Sequence, residues 1–363
     1  VKVLAISSYG VLGGAELALG EFVAHRPAGV EVEVLLVEDG ALRGRLSERA
    51  VPTWVAKSDL AGRPSASTLV RFSRGLLRLL GDAAPDVVVA FGLKAAIMGV
   101  PACRLAGVPL VWYKVDFSLD EVVTRPLGLA VNGIVGVSDA VSAALGPLRD
   151  RKLLAVVGPP CRLPRELRLT PSRKPLAIGS LGTLTPIKGH RHLIEAAGLL
   201  SEEFPDLRVL IAGLPAAKHL GFAEELRALA ESLGIGERLE LLGFVEDVSK
   251  VLARLTVFVS ATYRDEHGYG AEGLSGAMIE ASWAGLPVVA TRCGGSQEGM
   301  LDGVTGTLVD PSDPPALARA ITPFLRDEEL ARRTGGAGSQ LARFRFAPET
   351  VAAALFGALR EVL

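Results

Sequence analysis

Short apolar runs recur along the chain, each followed by a glycine-bearing loop and then by apolar positions at helical spacing. In the first half, residues 3–7, 30–37, 86–91, 109–113 and 133–137 read as strands. Runs this continuous suit strands buried on both faces, as in a parallel sheet covered by helices. Helical periodicity predicts helices from Ala15, over 68–80, over 94–105 and over 139–145, the last with Ser138 as N-cap. Prolines then crowd together at Pro159, Pro160, Pro164, Pro171 and Pro175, which marks residues 158–175 as a linker. Beyond it the alternation restarts, with strands at 176–180, 207–212, 239–242, 255–260 and 286–291. Helices are expected at 190–200, 223–233 and 296–301, then through Leu325 and Arg332, with an amphipathic helix over 347–363.

Strand–helix alternation on both sides of a linker predicts an α/β chain of two Rossmann-like domains, 1–165 and 166–340, followed by a terminal helix, 341–363. In such sheets ligands bind beyond the carboxyl ends of the strands, so a cleft between the two halves is the expected site. The length of 363 residues agrees with two cores rather than one.

Composition narrows the function classes. A net charge of −1 gives no general case for nucleic acid or an anionic membrane. Cys103, Cys161 and Cys293 are sparse and widely spaced, which predicts a reduced, cytoplasmic protein without disulfides or a zinc cage. The opening apolar run is too short for a signal peptide, and no stretch reaches the roughly 20 apolar residues of a membrane span. Arg71, Arg74 and Arg78 line one side of a helix whose Phe72, Leu76, Leu77 and Leu80 are apolar. That pattern reads as a solvated basic face, or as weak peripheral contact with the inner membrane face.

Four loops carry candidate chemistry. Residues 10–16, G-V-L-G-G-A-E, lack the G-x-G-x-x-G spacing of a dinucleotide site, which counts against a nicotinamide enzyme. Gly13 and Gly14 either permit a tight turn or let backbone N–H groups meet a ligand, with Glu16 favoured by the helix dipole. Residues 182–189, G-T-L-T-P-I-K-G, place Lys188 where a helix opens, as a solvated lysine or as a partner for a diphosphate. Residues 272–280, E-G-L-S-G-A-M-I-E, set two carboxylates around a glycine-led turn into a helix. Glu280 beside Met278, Ile279 and Trp283 is hard to explain as plain core, and the alternative is an exposed helix face. Gly294-Gly295-Ser296-Gln297-Glu298 is a further glycine loop with Ser296 as expected cap. His190 and His192, and the trio Asp265, Glu266 and His267, lack the accompanying ligands of a metal site.

The loops at Gly13-Gly14-Ala15-Glu16, Lys188-Gly189, Gly243-Phe244-Val245, 272–280 and Gly294-Gly295 together resemble glycosyltransferase family 4, retaining enzymes of the GT-B fold. The sharpest part is E-x7-E, followed by A-x-x-x-G-x-P-V-V-A-T from Ala281 and then G-G-x-x-E. The resemblance implies an N-terminal acceptor domain, a C-terminal nucleotide-sugar domain and a last helix crossing back to the first domain. Lys188 would then pair with the donor diphosphate, Glu280 hold the ribose, and Glu272 contact the donor sugar. Gly273, Leu274 and Ser275 would offer backbone N–H groups, Gly243 and Val245 would lie near the base, and the Gly13-Gly14 loop would close over diphosphate or acceptor.

Three departures stand out. Thr183 replaces the arginine of a usual G-R-L among the donor-binding residues. Lys114 and Asp116 stand where a His-Asp pair is usual, so both become candidate acceptor-side residues with Glu16, and Asp116 joins Glu272 and Lys188 as a catalytic candidate. An apparent insertion at 261–271 is expected to shape recognition. The resemblance implies sugar transfer from a nucleotide-diphosphate sugar to an acceptor hydroxyl. No metal or other cofactor is expected, because Lys188 and helix N-termini can neutralise the diphosphate. Ala-, Gly-, Leu- and Arg-rich usage with little Lys points to a GC-rich bacterium. The acceptor is left open among cell-envelope glycan, lipid and natural product. An epimerase or hydrolase of the same fold, or a non-catalytic sugar-nucleotide-binding relative, remains the alternative.

Overall fold

The computed structural model describes residues 1–56, 65–118, 120–265 and 270–363. It divides into two compact units, Val1–Arg162 with Phe346–Leu363, and Leu163–Arg345.

The first unit runs β1 (Lys2–Ser7), α1 (Gly14–Ala24), β2 (Glu31–Leu36), α2 (Ala41–Glu48), β3 (Thr53–Val55), α3 (Ala66–Ala83) and β4 (Val87–Phe91). It continues through α4 (Leu93–Ala106), β5 (Leu110–Lys114), α5 (Arg125–Ala130), β6 (Gly133–Gly136), α6 (Asp139–Ala143), α7 (Arg149–Lys152) and β7 (Leu153–Val156). Its strands form one parallel sheet in the order β3-β2-β1-β4-β5-β6-β7, with Val3 facing Val32 on one side and Val87 on the other. Leu4, Ile6, Val88, Ala90 and Trp112 bury against Phe72, Leu76 and Leu80 of α3 and Met98 of α4. Arg71, Arg74 and Arg78 form the exposed face of α3. Ser138 caps α6 by accepting from Val141 N at 3.2 Å.

The second unit runs β8 (Ala177–Leu181), α8 (His190–Leu200), β9 (Arg208–Ala212), α9 (Phe222–Ser232), β10 (Leu239–Leu241), α10 (Ser249–Leu252) and β11 (Val257–Ser260). Then follow α11 (Gly276–Ala284), β12 (Val288–Thr291), β13 (Gly306–Val309), α12 (Pro314–Arg326) and α13 (Glu328–Phe346). The parallel order is β10-β9-β8-β11-β12-β13. The last helix, α14 (Pro348–Leu359), packs on α1 and β7 of the first unit.

In each sheet the strand order reverses once, at β1/β4 and at β8/β11. Loops leaving the carboxyl ends of such neighbouring strands diverge to opposite faces and leave a crevice, which is where ligands sit in open α/β sheets.

The structure departs from the sequence pattern at short elements. α2 buries only Leu42 and Leu46, one turn apart, and β3 and β7 are edge strands of three and four residues. Windows that short carry no measurable period. The expected helix at 296–301 is instead a 3₁₀ turn over Gly294–Glu298, and Ser296 lies inside it rather than capping it. α13 runs unbroken through position 341, where the sequence suggests a boundary.

Candidate functional site

Glycine backbone sets the geometry at the β8/β11 switch point. A Cβ on Gly213 would lie 1.8 Å from Gly182 O, so the loops after β8 and β9 rest directly on each other. Past Thr183, a 3₁₀ turn over Pro186–Lys188 ends at Gly189, whose φ of 69° favours glycine. A Cβ there would meet Ala261 O at 1.9 Å. That close approach brings Lys188 against the loop after β11.

Lys188 Nζ is ion-paired with Glu272 Oε1, and Thr262 Oγ1 lies 3.4 Å from Glu272 Oε2 as donor. The Glu272 carbonyl accepts from Gly295 N at 2.9 Å, and a Cβ on Gly294 would lie 2.1 Å from that same oxygen. Loops after β8, β11 and β12 therefore converge on one carboxylate residue. Gly273 and Leu274 follow, and Ser275 caps α11 by accepting from Met278 N at 3.3 Å. Glu280, one turn further along, is buried at 2% exposure, so the exposed-face alternative is excluded.

Burial governs the electrostatics. It pushes the Lys188 ammonium down from 10.5 to about 8, while the Glu272 carboxylate holds the opposite charge beside it. His190 opens α8 behind this lysine, with Nε2 3.4 Å from Thr183 O. Burial first, and the Lys188 charge further, push the His190 imidazole down to about 4, so it is neutral at pH 7. Its Nδ1 has no hydrogen-bond partner among the described residues. His192 Nδ1 likewise has no hydrogen-bond partner among the described residues. Gly243, at φ 65°, follows β10 and accepts from Gly213 N at 2.8 Å, with Val245 half-buried just beyond.

The insertion is docked at its base. Tyr263 N donates to Ile187 O at 3.0 Å, and its ring centroid lies 5.0 Å from that of His192. Arg264 and Gly270 form an antiparallel bridge, and Ala271 has φ 72° just before Glu272. Residues 266–269, including Glu266 and His267, lie outside the described residues.

In the first unit, Gly13 is the N-cap of α1 and Glu16 occupies the third helical position. The Gly13 N–H donates to Val11 O at 3.1 Å, and burial raises the Glu16 carboxyl beside it from 4.5 to about 7. A Cβ on Gly13 would collide with that carboxylate at 2.7 Å, whereas Gly14 faces open space. Lys114 ends β5 at 1% exposure and donates to Asp120 Oδ1 at 2.6 Å and to Asp116 O. Its ammonium also lies 5.5 Å from the Trp112 ring and 5.9 Å from the Phe117 ring. Lys114 therefore knits the loop after β5 internally, which argues against its direct contact with an acceptor. Asp116 accepts from Ser118 N at 3.0 Å and stays half-buried.

Thr262 and the burial of His190 escaped the sequence reading. The available signal was a polar residue just past the end of the apolar strand β11, which no motif singles out. Among the described residues no three His, Cys, Asp or Glu side chains gather to hold a metal ion, and no helix is long and apolar enough to cross a membrane.

Comparison with known proteins bears on the two units. Residues 168–340 match the family model of glycosyl transferases group 1, and residues 13–131 match the glycosyl transferase 4-like domain. A D-inositol 3-phosphate glycosyltransferase of Corynebacterium urealyticum is 36% identical over 156 residues, 42% of this chain and 35% of that protein. The lipopolysaccharide core biosynthesis mannosyltransferase LpcC of Rhizobium leguminosarum bv. viciae is 30% identical over 186 residues, 51% of each. The chain thus spans about a third to a half of the length of these curated relatives. Among solved structures, Anabaena HepE in complex with UDP-glucose matches with a TM-score of 0.84 at 21% identity, covering 99% of both chains. Residues 13–131 thus match a glycosyl transferase 4-like domain and residues 168–340 a glycosyl transferases group 1 domain, on a two-unit fold shared with HepE.

Proposed function

We propose that this chain is a retaining glycosyltransferase moving a sugar from a nucleotide-diphosphate sugar to an acceptor hydroxyl. The observation that carries the reading is the Lys188–Glu272 pair at the β8/β11 switch point, with buried Glu280 one helical segment beyond it. A diphosphate arriving at Lys188 would take over the ammonium, leaving the Glu272 carboxylate to accept bonds from sugar hydroxyls. Gly273 to Ser275 and the start of α11 would add N–H groups and the positive end of the helix dipole. Glu280 would take the ribose hydroxyls, and the loop around Gly243 and Val245 would lie near the base. Neutral His190 adds no charge beside Lys188. Thr183 offers no charge where an arginine is usual, so more of the diphosphate charge falls to Lys188.

Retention requires the acceptor hydroxyl to attack from the face that the diphosphate leaves. The C1–oxygen bond to the diphosphate breaks, the acceptor oxygen bonds C1, and the acceptor proton passes to a leaving-phosphate oxygen. Positioning and electrostatics would supply most of the rate, and the reading requires no metal. Asp116, Glu16 and the Gly13-Gly14 loop would serve the acceptor side. Donor candidates follow from relatives: UDP-glucose is bound in HepE, and another relative, from Mycolicibacterium smegmatis, is a GDP-mannose-dependent mannosyltransferase.

The test begins with thermal shifts over nucleotide sugars, then transfer assays with the best donor. Lys188→Ala and Glu280→Gln should each lower turnover at least a hundredfold, about 2.7 kcal/mol of transition-state stabilisation, with cooperative unfolding retained. Near wild-type activity in both variants would overturn the assignment. NMR of the anomeric centre tests retention, and an inverted product defeats it. Conversion of donor at full rate without acceptor would instead favour an epimerase or hydrolase.

A further inference from the structure

The carboxyl ends of β1, β2 and β4 hold a second side-chain cluster, separate from the residues already assigned. Tyr9 follows β1, Glu38 follows β2, and Lys94 lies in the first turn of α4 after β4. Lys94 Nζ is ion-paired with Glu38 Oε1 and lies 5.0 Å from the centroid of the Tyr9 ring.

Backbone packing fixes this cluster. A Cβ on Gly10 would lie 2.4 Å from the Asp39 carbonyl carbon, so the loops after β1 and β2 touch without side chains between them. Leu42 N donates to Gly10 O at 2.9 Å. Ser8 Oγ donates to Phe91 O at 3.3 Å and accepts from Ala95 N at 3.0 Å, tying the ends of β1 and β4 together. On this scaffold Tyr9 is 44% exposed and neighbouring Val11 63%. An aromatic side chain is held toward solvent at a switch point, where a ligand is expected.

The chemistry of the cluster is specific. A tyrosine ring offers a flat apolar surface with a polar tip, suited to the C–H face of a pyranose. Glu38 accepts hydrogen bonds from hydroxyls and Lys94 donates them. The two charges offset each other, so among the described residues of this cluster no surplus cation is left for a phosphate. We infer that Tyr9, Glu38 and Lys94 recognise the acceptor, and that the acceptor presents an uncharged sugar ring here rather than a phosphorylated polyol. The inference rests on the glycosyltransferase reading and names the acceptor class for it.

Steady-state kinetics with the full chain test it, using the nucleotide sugar that gives the largest thermal shift. Octyl hexosides serve as neutral acceptors and inositol 3-phosphate as the anionic rival. Transfer to an octyl hexoside is expected, with acceptor KM raised at least tenfold in Tyr9→Ala and donor KM within twofold of wild type. Tyr9→Trp, which keeps the flat surface, should hold acceptor KM near wild type, and Glu38→Gln should raise it. Transfer to inositol 3-phosphate alone, or an acceptor KM indifferent to both Tyr9→Ala and Glu38→Gln, would overturn the inference. Absence of any nucleotide-sugar shift would remove the donor reading and this inference with it, a result distinct from donor binding with an indifferent Tyr9.

Discussion

Lys188 Nζ and Glu272 Oε1 pair across the β8/β11 switch point, with side-chain exposures of 24% and 19%. Exposed ion pairs contribute about 0–1 kcal/mol, and partial burial adds a desolvation penalty that offsets much of the Coulomb gain. The pair is therefore a modest source of stability. It does hold a cation and a carboxylate side by side in the crevice where a diphosphate sugar would need both.

The lowered lysine value gives a pH prediction. Lys188 carries its charge below about pH 8 and loses it above. The kcat/KM for the donor reports ionisations of the free enzyme, so it should fall toward tenfold per pH unit above about 8. Lys188→Arg should remove that fall while lowering the plateau, because a guanidinium stays charged but spreads its donors differently. A wild-type profile flat to pH 9.5 would show that Lys188 keeps its charge there despite burial.

Gly189 and Gly243 share a left-handed φ, 69° and 65°, but differ in their surroundings. Alanine at 189 must also displace Ala261 O, 1.9 Å from its Cβ, whereas a Cβ on Gly243 meets nothing within 4 Å. Gly243→Ala should cost about 1 kcal/mol of stability, the intrinsic left-handed penalty. Gly189→Ala should cost about 2–4 kcal/mol, because a backbone contact must move as well. Equal denaturation midpoints for the two variants would refute the difference.

Glu16 binds its proton more tightly in the folded chain, near 7 against 4.5 in the reference state. Such a group stabilises fully below the unfolded value and loses that contribution as pH rises through about 7. Glu16→Gln keeps the size and polarity of the side chain without the buried charge. The variant should match wild type near pH 4 and exceed it at pH 8, by up to roughly 3 kcal/mol. Melting curves at several pH values check this, and a pH-independent difference would disprove it.

α3 ends on Ala84 at φ 44° and ψ 56°, with its N–H bonded to Leu80 O at 3.0 Å. This is a left-handed C-terminal cap without the usual glycine. Ala84→Gly should raise stability by about 1 kcal/mol, seen as a higher urea midpoint at unchanged m-value. A lower midpoint would show that glycine's extra freedom in the unfolded chain outweighs the relief of strain.

The sequence by itself determined the two-domain α/β plan, because continuous Val-rich runs such as Val87–Phe91 and Val288–Thr291 suit strands buried on both faces. It also singled out Lys188, Glu272 and Glu280, because a lysine before a helix and carboxylates around a glycine turn break the apolar rhythm. Only tertiary structure decided what those residues are to each other. Lys188 and Glu272 meet because β8 and β11, distant in sequence, are adjacent in the sheet and Gly189 admits Ala261 O. Burial, which periodicity does not report for a lone polar side chain, set the rest. It enclosed Lys114, which had looked available to an acceptor, neutralised His190 and sealed Glu280 into α11. The sequence supplied the charged groups, and the parallel sheet order chose which of them became neighbours.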